Sequence, residues 1–594
     1  MSQPGCGTHT ILIPGDYVIA LSLLLEEAAF FAALSDETAG EAARLEGLAR
    51  HLRTWARDSD DPSGWALPGG AAVDAGGLED AIRGWLETGT LELLEQLRRR
   101  YPETTREFFL LADLGAGVVR KLLDRGVTSA EELEQRCVSG DILGWREFPE
   151  GFANRMLSSL KALRRRVPRI FLPESDFLLG RAVEALRAGG VQDRIEPAGE
   201  CRRRRELVSR LDLVVENDQP EVTARTFAAL GWLVQPSGTA DRDVLRARTP
   251  ENLPVVAHHA PEACFGARLA LATGSSGHVC ALRRRLQSRG LRLTWQGVDD
   301  RRGGRIPCPD EHTLYRLAEW PLIPPELRED RLEWSGPWPR PLITQGDIRG
   351  IAHCHTDWTD GAGTLEQMVE TARLLGADWL AVTDHSAAAE QANGLSAEKL
   401  REQYRAIDRL NASLGGVRVI KGVEADIRAD GSVDLGAQGL SASELVIGSV
   451  HEGEDGGAMK NTDRVIQAMA SGLIDVLGHP SGRILKAYCG RALQWDRVFH
   501  AAAAWEVAIE INANPRRLDL DWRLIPEAAA LGVWFLIGSD AHRPEGLYNT
   551  PYGVALARKG GLGPKRVLNC LDAEKLTAWT QQRRKTGRQQ GVRK

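Results

Sequence analysis

From residue 347 to about 580, short apolar runs alternate with amphipathic stretches. "GIAHCH", "DWLAVTDH", "VRVIKGVEAD", "LVIGSVH", "IDVLGHP", "WEVAIEINAN" and "VWFLIGSDAH" read as seven strands. The segments between most of them have helical character, which predicts β/α units and a barrel. The first 165 residues read as helices rich in Ala, Leu, Glu and Arg and punctuated by glycines, as in "LGAGVVRKLLDRG" (114–126). Residues 166–250 mix short β runs such as "LDLVVE" with helical stretches, and 251–330 are mixed too. "LIPPELREDRLEWSGPWPRP" (322–341), rich in Pro and Trp, reads as a linker between two large halves. The final "QQRRKTGRQQGVRK" is basic and polar and is expected to be disordered.

Composition adds bounds. The chain has 594 residues, 43% hydrophobic and 26% charged, enough to fill several domain cores. A net charge of −6 argues against a wholesale polyanion binder. Nucleic-acid contact is left to local runs such as "RRRR" (202–205), "ALRRRVPR" (162–169) and "LRRRLQSRGLRL" (282–293); any one of them reads first as a solvated face or loop, and the three together favour DNA modestly. Nine cysteines without a C-x-x-C pair suit a reducing compartment, so a cytoplasmic protein is expected. "YVIALSLLLEEAAFFAAL" (17–34) is interrupted by Glu26 and Glu27 and predicts a buried helix, with no membrane span.

Candidate chemistry sits at the strand ends. Six of the seven runs deliver Asp, Glu or His there: His353 and His355, His385, Glu424, His451, His479, and Asp540 with His542. Asp360 follows the first run in a loop. Barrel chemistry gathers at the C-terminal rim, and histidine and carboxylate are ligands for zinc, manganese and iron. A lone histidine at a strand end is usually a structural residue; six ends together predict a metal centre. Alternate strand residues point the same way, so His353 and His355 are expected to aim at one point. Arg483, in "HPSGR", could clamp a phosphate catalytically or be a surface arginine. Asn512 and Asn514 of "EINAN" could face the mouth and bind substrate, or be loop residues.

H-x-H-T with a downstream D-G, T-D-H-S, G-V-E-A-D-I, S-V-H, G-H-P-S-G-R and S-D-A-H, in this order, resemble the PHP (polymerase and histidinol phosphatase) family. The resemblance implies a seven-stranded barrel holding three divalent metals, Mn2+ and/or Zn2+ with Fe2+ as an alternative. Its nine implied ligands are His353, His355, Asp360, His385, Glu424, His451, His479, Asp540 and His542, with Glu424 bridging. It further implies phosphoester hydrolysis, in which metals lower the pKa of a bound water to about 7 and neutralise phosphoryl oxygens.

"AGECRRRRELVSRLDLVVEN" (198–217) is similar to the palm signature of family-X DNA polymerases, matching it at Gly199, Arg202, Arg203 and Asp212. "FGARLALATGSSGHVCALR" (265–283) resembles the family's T-G-S-x-x-H-N segment through Gly274 and Ser275, and "LIPPELRED" (322–330) the end of its thumb. "LETGTLELLEQLRRRYPE" (86–103) and "LGAGVVRKLLDRGVTSAEEL" (114–133) look like its helix–hairpin–helix region, where Gly115 and Gly117 would bring backbone amides to DNA phosphates. The implied layout is a helical domain at 1–95, a helix–hairpin–helix region at 96–165, a palm at 166–250, a thumb at 251–330, a linker at 331–346, a PHP domain at 347–580 and a tail at 581–594.

The departures fall on the polymerase chemistry. Arg210 stands where the first catalytic aspartate belongs, Glu200 replaces the phosphate-binding serine, and Val279 replaces the asparagine. Asp113 stands where a glycine is expected, and "LPVVAHHA" (253–260) supplies no third carboxylate. Two-metal catalysis needs converging carboxylates. Residues 1–120 hold no lysine for a Schiff-base lyase. The expectation is a monomeric DNA-repair phosphoesterase acting as a 3′→5′ exonuclease, AP endonuclease or 3′-phosphatase. It would contact the DNA backbone without sequence specificity and transfer no nucleotides. The alternatives are a small-molecule phosphoesterase, a DNA-binding scaffold, and a polymerase using Glu206, Glu216 or Glu262.

Overall fold

The computed structural model describes residues 12–591 except for short stretches, the longest being 59–64, 67–81, 83–90, 110–113, 234–243, 334–340 and 452–456. It divides into two compact units, residues 1–167 and 168–594.

In the first unit the apolar run at 17–34 forms most of the helix Gly15–Ala32, which packs with the helix Ala39–Asp58. Leu21, Leu25, Phe31, Leu45 and Leu52 fill the space between them, and Glu27 is buried as well. Among the described residues no helix is long and apolar enough to cross a membrane. Further on, the helices Ala116–Asp124 and Ala130–Ser139 are joined by a turn in which Gly126 takes a φ of 74°. The Val127 amide there donates back to the Leu122 carbonyl at 2.9 Å, a closure that needs a left-handed residue before it. Gly115 and Gly117 lie exposed at the N-terminus of the first of these helices. Asp113 is outside the described residues.

The second unit opens with a sheet of four strands, β1 (Ile195–Ala198), β2 (Leu211–Glu216), β3 (Val244–Arg248) and β4 (Pro254–Ala260), ordered β1-β2-β4-β3. β2 and β4 run parallel, and their register sets Asp212 beside Val256. The wholly buried helix Phe265–Thr273 follows, then the helix Ser276–Ser288 and a three-stranded antiparallel sheet over Arg292–Ile306.

The seven apolar runs become β5 (Gly350–Cys354), β6 (Trp379–Val382), β7 (Arg418–Asp426), β8 (Leu445–Ser449), β9 (Val476–Leu477), β10 (Ala508–Asn512) and β11 (Phe535–Ala541). All pair in parallel, and β5 pairs with β11 to close the barrel. The fold class is therefore the mixed α/β architecture with a seven-stranded barrel that the pattern predicts. Trp379, Ile420, Ile447 and Leu536 fill the interior. Gly350 leaves room for this packing, because a Cβ there would lie 1.9 Å from the Trp379 ring.

Two expectations fail. The basic end is a helix, Ala573–Gly591, where disorder from 581 was expected. Leu576 packs under the barrel interior, and Arg583 and Arg584 both pair with Asp475, a carboxylate with no exposure. A buried charge must be paired, and this one orders the basic turn. The expected linker is partly core: Leu342 and Ile343 are buried, and the Ile343 amide donates to the Leu562 carbonyl at 2.9 Å. Residues 332 and 334–340 are outside the described residues. Sheet and barrel are also tied by Lys559, whose buried ammonium donates to the Arg203 carbonyl at 2.9 Å and to Glu329 at 2.6 Å.

Candidate metal centre

The C-terminal ends of the barrel strands converge on Glu424. Its Oε1 lies 3.0 Å from His479 Nε2 and 3.3 Å from the Nε2 atoms of His353 and His451. Its Oε2 lies 3.1 Å from His385 Nδ1 and 3.6 Å from His355 Nε2. Asp360 Oδ2 reaches His542 Nε2 at 3.3 Å and His385 Nε2 at 3.5 Å. Asp540 Oδ1 stands 3.7 Å from His355 Nε2 and 3.8 Å from His353 Nε2. The nine expected residues thus form four overlapping groups whose donor atoms lie within 4.8 Å of one another.

Strand alternation does not explain the His353–His355 pair. β5 and β11 shift register beside these residues, and His353 and Asp540 take left-handed φ values of 58° and 50°. Such a backbone costs about 1–3 kcal/mol at a non-glycine residue. It is held by the Ser539 hydroxyl, which donates to the His353 carbonyl at 2.8 Å, and by the His355 amide, which donates to the Ala541 carbonyl at 2.8 Å. A bulge at a barrel rim re-aims side chains, and this one turns both rings inward with their centroids 5.3 Å apart.

The donors fit divalent metals. His353 Nε2, both nitrogens of His355, His385 Nδ1 and Glu424 Oε2 are buried without a hydrogen-bond partner. Each such atom left alone costs about 1–3 kcal/mol, which a cation would remove. Burial, with His542 and His385 alongside, pushes His355 down to about 3, so it is the neutral imidazole a metal takes. Burial lowers His451 too, but Glu424 and Asp426 outweigh it and raise this histidine to about 10.

A second layer of carboxylates orients the donors. Glu510, fully buried, hydrogen-bonds His353 Nδ1 and accepts the backbone N–H of His479. Asp426 Oδ1 meets His451 Nδ1 at 2.8 Å. Asp384 accepts from the Thr356 amide at 2.8 Å, the Thr356 hydroxyl at 2.6 Å and Gln403 at 2.5 Å, and also from Thr359, fixing the loop that carries Asp360.

Arg483 and Asn512 do not face the mouth as expected. Arg483 is buried; it donates to the Arg517 carbonyl at 2.9 Å, to Asp521 at 2.9 Å, to Glu206 at 3.4 Å and to the Leu518 carbonyl. Its donors are spent on the protein. Asn512 is fully buried behind the ligands and donates to Asp540 Oδ2 at 3.1 Å and Glu510 Oε2 at 3.2 Å. Asn514 accepts the Arg516 amide at 3.0 Å in a local turn.

The palm site is paired internally. Asp212, 1% exposed, meets Arg210 Nε at 2.8 Å through Oδ2 and His258 Nε2 at 3.3 Å through Oδ1. Gly199 has a φ of 62°, and a Cβ there would lie 2.3 Å from Asp212 Oδ2. Glu200 accepts the Ser209 amide at 2.6 Å and hydroxyl at 2.7 Å. The "RRRR" run is consumed by carboxylates, Arg202 by Glu311, Arg203 and Arg205 by Glu329 and Arg204 by Asp176, so it is no phosphate patch. Gly274 ends one helix, and Ser275 caps the next by accepting the His278 amide at 3.2 Å.

Residues 352–514 match the family model of the PHP domain, and residues 268–329 that of the DNA polymerase beta thumb. The chain is 30% identical over 521 residues to the DNA polymerase/3'-5' exonuclease PolX of Bacillus subtilis (strain 168), covering 85% of this chain and 89% of that one. The chain belongs to the PolX family. A probable phosphatase of Yersinia pestis (strain Pestoides F) and one of Citrobacter koseri are each 29% identical, covering 32% of this chain and 77% of theirs.

Within this PolX chain, Glu510, Asp384 and His258 were missed from sequence. Glu510 carried a signal, as a lone carboxylate inside the apolar run "VAIEI", and Asp384 stands next to a ligand in "TDHS". His258 carried none, since it meets Asp212 only through the β2–β4 register.

Proposed function

We propose that this chain hydrolyses phosphodiesters of DNA in the 3′→5′ direction at the barrel centre and no longer transfers nucleotides in the palm. The observation that carries the reading is the contrast between a barrel in which all nine donors converge and a palm whose Asp212 is, among the described residues, already paired with Arg210 and His258. Kinship with a PolX polymerase/exonuclease supports DNA as the substrate.

Divalent cations bound by the nine groups would supply Lewis-acid polarisation of the phosphoryl oxygens and a water acidic enough to ionise near neutral pH. Glu424 holds the two sides of the site at one spacing, since its oxygens face different histidines. Glu510 and Asp426 fix the ring orientations of His353 and His451 by engaging their Nδ1 atoms, leaving Nε2 for coordination. Burial of the donors keeps bulk water away, so charge developing on the phosphoryl and leaving oxygens would meet a preorganised site.

The test is one incubation of the protein with Mn2+, all four deoxynucleotides and a 5′-labelled primer in a gapped duplex. A ladder descending from the primer is expected. A ladder ascending from it would overturn the loss of polymerisation. An untouched primer, with hydrolysis of a small phosphomonoester, would favour a second reading, a small-molecule phosphatase, which the similarity to the probable phosphatases supports.

A further inference from the structure

Where a polymerase palm gathers metal-binding carboxylates, this palm presents an arginine. Arg210 immediately precedes β2, and its Nε is fixed on Asp212 Oδ2 at 2.8 Å. The side chain is 52% exposed, and its Nη1 and Nη2 have no partner among the described residues. The other oxygen of the same carboxylate faces His258 Nε2. The His258 ring in turn stacks on Trp295, with centroids 5.1 Å apart and planes 7° from parallel. His258 Nδ1 is buried and has no hydrogen-bond partner among the described residues.

Trp295 is 38% exposed. Its carbonyl accepts Arg268 Nε at 2.7 Å, which fixes the turn that carries it. The same small sheet exposes Arg301 and Arg302 beside Asp300, while Arg292 and Arg305 pair with the buried Asp299 at 3.2 and 2.7 Å. A half-exposed guanidinium anchored through Nε and a partly exposed indole are therefore linked through Asp212 and His258, with a small surplus of positive charge on the indole's own sheet. A guanidinium held by Nε presents its terminal amines as a fork suited to phosphate. An aromatic face beside cations binds single strands with little sequence preference, because every base has a stacking face.

We infer that the palm and its neighbouring hairpin form a metal-independent site for single-stranded DNA, with Arg210 on a backbone phosphate and Trp295 under a base. The site rests on the reading of DNA as substrate and assigns the remodelled palm the task of holding the strand. It needs no catalysis and no cation, because the exposed edge of Arg210 supplies hydrogen-bond donors while its Nε stays on Asp212. A paired duplex is a poor ligand, since its bases are already stacked on each other.

The test is fluorescence anisotropy of a labelled oligothymidylate with the full-length protein in EDTA. Wild type is expected to bind. Arg210→Ala should weaken binding roughly tenfold and reduce the slope of log K against log salt by about 0.7. Trp295→Ala should weaken it roughly tenfold, and Trp295→Phe should restore most of the loss. Trp295→Ala should keep wild-type thermal unfolding, Arg210→Ala should melt lower because Asp212 loses a partner, and both, assayed below their melting temperatures, should keep Mn2+-dependent hydrolysis of bis(p-nitrophenyl) phosphate. Affinities within twofold of wild type in both would overturn the site while leaving the DNA reading intact. So would a wild type that fails to bind in EDTA yet degrades the oligonucleotide with Mn2+. A wild type that neither binds nor degrades it would overturn the DNA reading, and the site with it.

Discussion

Glu424 in the barrel has five imidazoles within 3.6 Å, and its Oε2 accepts no hydrogen bond from any of them. Asp212 in the palm has one guanidinium and one imidazole, and both of its oxygens are engaged. Both carboxylates are buried to within 1%. A buried carboxylate has to be compensated. The barrel leaves that compensation to a ligand, whereas the palm builds it into the chain. A buried carboxylate can thus be left to a bound cation or given permanent partners in the chain, and the two sites differ in which they use.

The largest effect that would break this contrast is at the barrel. Asp540→Ala removes a donor shared by His353 and His355. Loss of bound metal is expected, measured by elemental analysis, together with a fall of roughly 10³-fold in phosphodiester hydrolysis, equivalent to several kcal/mol of lost Lewis-acid stabilisation. Retention of both would mean that the donors are structural after all.

On the palm-and-thumb side the acids should matter for stability. Glu311 lies between Arg202 and Arg328, the latter with no exposed surface. Burial raises its pKa, but Arg328 and Arg202 outweigh this and hold the carboxyl at about 2, against an ordinary 4.5. The folded-state pKa is depressed, so the ion pair contributes fully above about pH 4.5 and is lost as pH falls toward 2. The contribution is on the order of 3 kcal/mol. Glu311→Gln should destabilise by that order at pH 7, read by urea unfolding, and the gap from wild type should fall to about half at pH 3 and close only toward pH 2. A gap independent of pH would show that the charge is not what the fold uses.

Glu510→Gln sharpens the barrel side. The amide can still accept the His479 N–H but cannot stabilise His353 Nδ1–H as a carboxylate does. Metal affinity should fall roughly 10- to 100-fold with the fold intact, as titration with a metallochromic indicator would measure. Unchanged affinity would leave Glu510 a packing residue.

The nine donors were legible in sequence because each is a chemically distinctive residue at or beside the end of an apolar run, and such ends share one rim. The device that aims two of them was not. The left-handed backbone at His353 and Asp540 arises from pairing between the first and last barrel strands, which no local pattern encodes. Arg483 misled for the same reason. It stands four residues from His479, but its carboxylate partners Asp521 and Glu206 lie 38 and 277 residues away. The helical end misled through composition: "QQRRK" reads as solvated until Asp475, 108 residues upstream of Arg583, claims it. Residue chemistry was legible, and long-range pairing was not.

The smallest expected effect is the most direct test of the palm. Arg210→Asp restores the carboxylate that family-X palms carry, and if that one substitution were what separates the two sites, nucleotide incorporation should return. It should not. Val256 occupies the β4 position beside Asp212, where a further carboxylate would have to stand. The new aspartate would set a second negative charge close to Asp212, and like charges at short range resist joint ionisation. Glu200, clamped on Ser209, keeps an anion where a triphosphate would approach. Primer extension by Arg210→Asp with Mg2+ or Mn2+ should therefore stay at background. Adding Val256→Asp and Glu200→Ser should be the first combination to change it. Extension by the single variant would mean that the palm keeps a metal site that Arg210 alone had closed.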